Sequence, residues 1–91
     1  MAEASRSTTL KANPGVIAKR LDDVAVLVDV STNQIFELNH TGARVWELMG
    51  EGFDSDQIVR RLVDEFNVDL PIVAREVDNL FRQLRVEGLL A

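Results

Sequence analysis

At Asn39 the apolar pattern of the chain changes period. Before it, "VAVLVDV" (24–30) sets Val24, Val26, Val28 and Val30 in alternation with Ala25, Leu27 and Asp29. "QIFEL" (34–38) likewise puts Phe36 and Leu38 on one face and Ile35 and Glu37 on the other. A period of two is that of a strand with one better-buried face. After Asn39, Val45, Trp46, Leu48 and Met49 recur at helical spacing. A strand feeds a helix with no linker, and every other assignment has to accommodate that corner.

Upstream, "VIAKRL" (16–21) is a further short strand, and Asp22-Asp23 separates it from the valine run. "STNQ" (31–34) supplies the next turn, in which Asn33 is the residue best able to take left-handed backbone without being glycine. Three short strands joined by two tight turns make an antiparallel meander. Downstream, Asn39 has the chemistry of a helix N-cap, with Thr41 as its competitor, and Gly50 and Gly52 stop the helix. Trp46 reads as a core aromatic anchoring that helix.

Asp54 and Gln57 have capping-box spacing. The helix they start carries an apolar stripe of Ile58, Val59, Leu62, Val63 and Phe66, opposite Arg60, Arg61, Asp64 and Glu65. A third helix opens near Asp69, with Pro71 in its first turn, where a missing N–H costs nothing. Its stripe is Val73, Val77, Leu80, Phe81 and Leu84, and Asp78 and Arg82 form an i,i+4 pair outside it. Gly88 ends it, and the closing Leu-Leu-Ala either folds back or frays. The order β-β-β-α-α-α predicts an α+β fold whose helices pack together and cover one face of a three-stranded antiparallel sheet.

Ninety-one residues, 46% of them hydrophobic, are enough for one domain with one core. Residues 1–13 are polar and aperiodic and read as a flexible tail. The turn Asn13-Pro14-Gly15 then opens a domain spanning 14–91.

Fifteen acidic against ten basic residues give a net charge of −5, the wrong sign for neutralising phosphates. The absence of cysteine excludes disulfides, thiolate metal sites and cysteine nucleophiles. No apolar run is long enough to span a membrane, and "MAEASRSTTLKANPG" lacks the apolar core of a secretory signal. A cytoplasmic protein is the expectation.

Catalytic patterns are missing. His40 is the sole histidine and reads as a surface residue at a helix start. The acids Asp22-Asp23, Asp54/Asp56 and Asp64-Glu65 have turn and capping roles and no calcium-loop spacing. The serines lie outside any nucleophile elbow, and Gly42, Gly50 and Gly52 lack the lysine of a phosphate loop. No enzyme, metal or cofactor is expected; the composition points to a binding module. Each outer strand of a meander shows unpaired N–H and C=O groups, to which an extended peptide can add by backbone pairing.

The assembled motifs resemble the PqqD-like family of peptide-recognition domains in ribosomal natural-product pathways. The carriers are "VLVD" (26–29), "LNHTGARVWELM" (38–49), "IVRRLVDEF" (58–66) and "VDNLFRQLRVEGLL" (77–90), covering roughly residues 15–90. Within them, Leu38, Asn39, Thr41, Gly42 and Ala43 match the family's strand-to-helix corner. Glu76-Val77, Leu80-Phe81, Leu84 and Gly88-Leu89 match its closing pattern. The resemblance implies an architecture similar to a winged helix-turn-helix and a non-catalytic adaptor. Such an adaptor binds the leader segment of a precursor peptide and presents it to a modifying enzyme, such as a radical SAM maturase or a peptidase-cyclase.

Carried onto this chain, the resemblance makes Gln34, Ile35, Phe36, Glu37 and Leu38 the docking strand. Val73, Glu76, Val77, Leu80 and Gln83 become the groove on the third helix. Members dedicated to pyrroloquinoline quinone synthesis usually carry a Pro-Glu-Gly-type turn, a Thr-Ala-Ala helix start and an aromatic after the last glycine. Here those places hold "STNQ", Thr41-Gly42-Ala43 and Gly88-Leu89. A lasso-peptide system or another radical SAM pathway fits as well as that cofactor's own, and the sequence leaves monomer and dimer both open. The alternative is a winged-helix DNA-binding regulator reading with its third helix, where Arg75, Arg82 and Arg85 sit among Glu76, Asp78 and Glu87.

Overall fold

A computed structural model of the chain describes residues 10–91. Three strands, β1 (Val16–Leu21), β2 (Val24–Asp29) and β3 (Gln34–Leu38), precede three helices, α1 (His40–Gly50), α2 (Ser55–Phe66) and α3 (Leu70–Val86). The sheet is antiparallel in the order β1-β2-β3. Both tight turns rest on a polar residue in the left-handed region, Asp22 at φ 54° and Asn33 at φ 63°. Such side chains tolerate that conformation because they are short and hydrogen-bond locally.

The alternation in β2 resolves in favour of its non-valine set. Ala25, Leu27 and Asp29 are buried, while the intervening valines are half-buried on the outer face. The buried face is the one that α1 approaches, and small Ala25 lets the helix come close. Asp29 sits at the end of this face because its carboxylate turns into the β2–β3 loop. There it accepts from Ser31 N–H at 3.1 Å and Ser31 Oγ at 2.8 Å. The Ser31 hydroxyl is the main cause holding its carboxyl below the usual value. On the outer face, Ile17, Val28 and Ile35 form one cross-strand row, and Ile17 and Ile35 are 59% and 70% exposed.

The corner at Asn39 is closed by its own side chain. Gly42 N–H donates to Asn39 Oδ1 at 2.8 Å, so Asn39 rather than Thr41 is the cap. A Cβ at Gly42 would stand 3.3 Å from both Asn39 Oδ1 and Leu38 Cβ, so glycine gives the corner its tight radius. The helix ends in a left-handed turn at Gly52 (φ 96°), where Phe53 N–H donates to Leu48 O at 3.1 Å. Asp54 and Gln57 form the expected reciprocal capping box. α3 repeats the Gly52 device with Gly88 (φ 79°) and Leu89 N–H donating to Leu84 O at 2.9 Å.

The core is assembled by α1, which lies on β2 and β3, while α2 and α3 pack on each other and against α1. Leu27, Val45, Leu48, Ile58, Leu62 and Leu89 are fully buried. Trp46 departs from its expected place: it is half-buried and packs at the margin of the core rather than within it. The closing Leu-Leu-Ala folds back. Leu89 is buried, Ala12 bridges Leu90, Asn13 N–H donates to Leu89 O and Ala91 N–H to Lys11 O. Residues 11–13, read from sequence as the end of the tail, are thus paired with the chain's C-terminus; residues 1–9 of that tail lie outside the described residues. No helix among the described residues is long and apolar enough to cross a membrane.

Candidate functional site

β3 borders the sheet with one side paired to β2 and the other open. Facing that open side is a flank of α3. Phe36, Glu37, Leu38 and Asn39 meet Leu80, Gln83, Leu84, Glu87 and Leu89 across a cleft of about 200 Å³. A second hollow of about 380 Å³ shares Asn39, Leu80 and Gln83 with the first and adds Thr41, Gly42, Glu76 and Asn79. A third, of about 180 Å³, shares Thr41 and Glu76 with the second and is bounded by His40, Leu62, Phe66, Val68, Ile72 and Val73. The shared residues make these one groove. It runs from the C-terminal end of α3, along β3, past the start of α1 to the α2–α3 junction.

The groove exists because α3 packs on α1 and α2 and stands away from β3. Its apolar stripe registers this. Val73, Val77, Phe81 and Leu84 are buried, whereas Leu80, on the groove side, stays half-exposed. Leu80 and Gln83 on this flank face β3, and Glu76, one turn earlier, faces the start of α1.

Of the residues expected in the site, Phe36, Glu37, Leu38, Leu80 and Gln83 line the cleft, Glu76 lines its continuation and Val73 the third hollow. Gln34 and Ile35 are exposed on β3 beyond the cleft. Val77, at 2% exposure, belongs to the core and lines none of the three hollows. To the expected lining residues the structure adds Asn39, Leu84, Glu87 and Leu89 in the cleft and Asn79 in its continuation. Glu87 was nevertheless legible, since Glu76, Leu80, Gln83 and Glu87 follow one another at i, i+4, i+7 and i+11 along one helix face. His40 is exposed, and its ring lies 5.0 Å from that of Phe66, forming one wall of the third hollow.

The charges around the groove are unlike those elsewhere. Glu37, Glu76 and Glu87 are its charged lining residues and all are exposed. No ion pair engages any of them among the described residues. At the junction of β1, α1 and α2, by contrast, Arg20, Glu47, Arg44 and Glu65 form a continuous chain of ion pairs. Arg44 donates to Glu65 through Nε at 2.8 Å and Nη2 at 2.7 Å. Those hydrogen bonds hold the Glu65 carboxyl below its usual value and raise the Arg44 guanidinium. Burial pushes the Glu47 carboxyl up, and hydrogen bonds from Arg20 and Arg44 more than offset it. Among the described residues no three His, Asp or Glu side chains converge in a way that could hold a metal ion.

Comparison with known proteins places the fold. A solved structure of TbiB1 in complex with the TbiA(beta) leader peptide superposes with a TM-score of 0.84 at 34% identity, covering 88% of this chain and 93% of that one. A lasso peptide synthetase B1 complexed with its leader peptide gives a TM-score of 0.84 at 20% identity, covering 92% and 99%, and at that identity speaks for the fold alone. No curated protein matches the chain. The family model of the coenzyme PQQ synthesis protein D matches residues 25–90, which take in the whole of β3, all three helices and the groove between them. The chain belongs to the PqqD family.

Proposed function

We propose that this protein is a non-catalytic cytoplasmic adaptor that binds the leader segment of a ribosomally made precursor peptide. The leader adds as a strand to the open side of β3, its side chains enter the groove against α3, and the adaptor presents the rest of the precursor to a modifying enzyme. The observation that carries this reading is the juxtaposition of an unpaired strand edge with a half-exposed helix stripe. Backbone pairing supplies affinity without sequence preference, and the pockets beside it supply the selection. The relation to TbiB1, whose structure holds a leader peptide, supports the same reading.

A radical SAM maturase or a peptidase-cyclase is the enzyme class proposed to receive the precursor. The charge of α3 is mixed rather than basic: Arg82 is tied to Asp78 at 2.9 Å, and the exposed Arg75 and Arg85 are balanced by Glu76 and the C-cap Glu87, a poor match to a phosphate backbone. The test is an amide-resolved NMR titration with the leader half of a short precursor encoded beside the gene. Shifts concentrated in residues 34–38 and 72–87 are expected. Shifts confined to the outer sheet face, or to α2, would overturn the groove as the site.

A further inference from the structure

The groove has an apolar floor and an acidic rim. The floor is Phe36, Leu38, Leu80, Leu84 and Leu89. The rim is Glu37 on the strand side, with Glu76 and Glu87 on the helix side. No Lys or Arg is among the residues lining any of the three hollows. Arg20, Arg44 and Arg82 pair with Glu47, Glu65 and Asp78 away from the rim, and Arg75 and Arg85 of α3 line none of the hollows. The rim carboxylates thus present unbalanced negative charge to whatever lies between them.

From this we infer that the segment held in the groove is an amphipathic cationic strand, with apolar residues directed at the floor and Lys or Arg at the rim. The inference rests on the groove being the peptide site. Its spacing follows from the geometry. Glu76 in α3 and Glu87 at its C-cap are eleven residues apart, a separation of about 16 Å at the α-helical rise. An extended chain crosses that distance in about five residues. Two side chains on the same side of a strand are an even number apart, so the two helix-side cations are about four or six residues apart. Apolar residues between them lie over Leu80 and Leu84. Glu37 shares the outer face of β3 with Ile35, so it acts on the other set of side chains. A third cation in that set would sit as a cross-strand partner of Glu37, an arrangement favoured over a like charge or a neutral residue.

The test lets the protein select its own ligand. The full chain is panned against a display library of random dodecapeptides, and enriched peptides are synthesised and located on the protein by amide shifts. The expected result is enrichment of Lys and Arg at that spacing among apolar residues, with shifts in residues 34–38 and 76–87. Affinity should fall with added salt. It should also fall about tenfold in the triple variant E37Q/E76Q/E87Q, as three solvent-exposed pairs of about two- to threefold each would give. E51Q, away from the groove, should leave it unchanged, and melting curves of both variants show that the fold is kept. Peptides that shift the groove but carry no excess of basic residues would overturn the charge inference and leave the adaptor reading standing. Enriched peptides that shift residues elsewhere, or no enrichment at all, would overturn both.

Discussion

Two sides of this domain solve opposite problems with the same materials. At the β1–α1–α2 junction, Arg20, Glu47, Arg44 and Glu65 link three elements, and every charge has a partner. At the β3–α3 side the strand has an unpaired edge, the helix leaves Leu80 half-exposed and three glutamates have no cation. The first side is satisfied within the chain; the second leaves a strand edge, a half-exposed leucine and three carboxylates facing a cleft. In a domain this small, with an exposed apolar row on the outer sheet face as well, the groove stays open while α3 is held in place through Val73, Val77, Phe81 and Leu84, which are buried.

The largest expected effect tests that last statement. Phe81 and Leu80 are neighbours on α3, one at 5% exposure in the core and the other facing the groove. Phe81→Ala should cost about 3–5 kcal/mol, measured by urea unfolding, because it empties a buried site. A cost under about 1 kcal/mol would mean that α3 is not anchored through this stripe.

Much of this division was legible in the sequence. The period change at Asn39, the capping box at Asp54 and Gln57, the left-handed Asn33 and the α3 stripe each follow from local chemistry, which does not depend on the rest of the chain. The features that escaped are the tertiary ones. Alternation in β2 says that one face is better buried, but which face depends on where α1 lands. In the fold, α1 covers the face of Ala25, Leu27 and Asp29 and leaves the valines on the outer one. Trp46 reads as core by residue type, yet it is half-buried and packs on the core from its margin. Its removal should therefore cost less than the roughly 3–5 kcal/mol of a fully buried ring. Of the groove lining, the strand and the α3 residues Glu76, Leu80 and Gln83 were readable, whereas the choice of flank required knowing that α3 stands off from β3.

Next in size is a pair of prolines in β3. Neighbouring residues of a strand point their N–H groups to opposite sides, one to β2 and one to the open edge. Of Gln34→Pro and Ile35→Pro, one should remove a ladder bond and destabilise the sheet by about 1–3 kcal/mol. The other should melt like the wild type and lose peptide binding. If both fold normally and bind normally, strand addition to β3 is wrong.

The ion chain should matter less, and mostly in acid. Glu47 and Glu65 have folded-state values below their ordinary 4.5, so their contribution is present above that pH and disappears as pH falls through the lowered values. Asp29 adds a contribution of the same sign, lost further below its ordinary 3.8. Arg44→Met should lower stability by about 1 kcal/mol at neutral pH and make the decline below about pH 4.5 shallower, leaving the parts of the Arg20–Glu47 pair and of Asp29. A variant whose acid unfolding curve overlays the wild type would show that the chain of pairs gives no stability.

The smallest effect on folding falls on the residue that matters most to the comparison. Leu80 is half-exposed, so Leu80→Ala removes few packed contacts and replaces leucine with a better helix former. A loss of at most about 1 kcal/mol is expected by urea unfolding, while affinity for a groove-bound peptide should drop about tenfold, since the side chain forms the centre of the floor. The two measurements have to separate. If Leu80→Ala unfolds as readily as Phe81→Ala, Leu80 is a core residue and the groove is a flaw in packing. If it changes neither stability nor binding, the floor lies elsewhere, and the third hollow around Phe66, Ile72 and Val73 becomes the place to look. Weak binding with intact folding is the result that marks a surface the chain leaves open for its ligand.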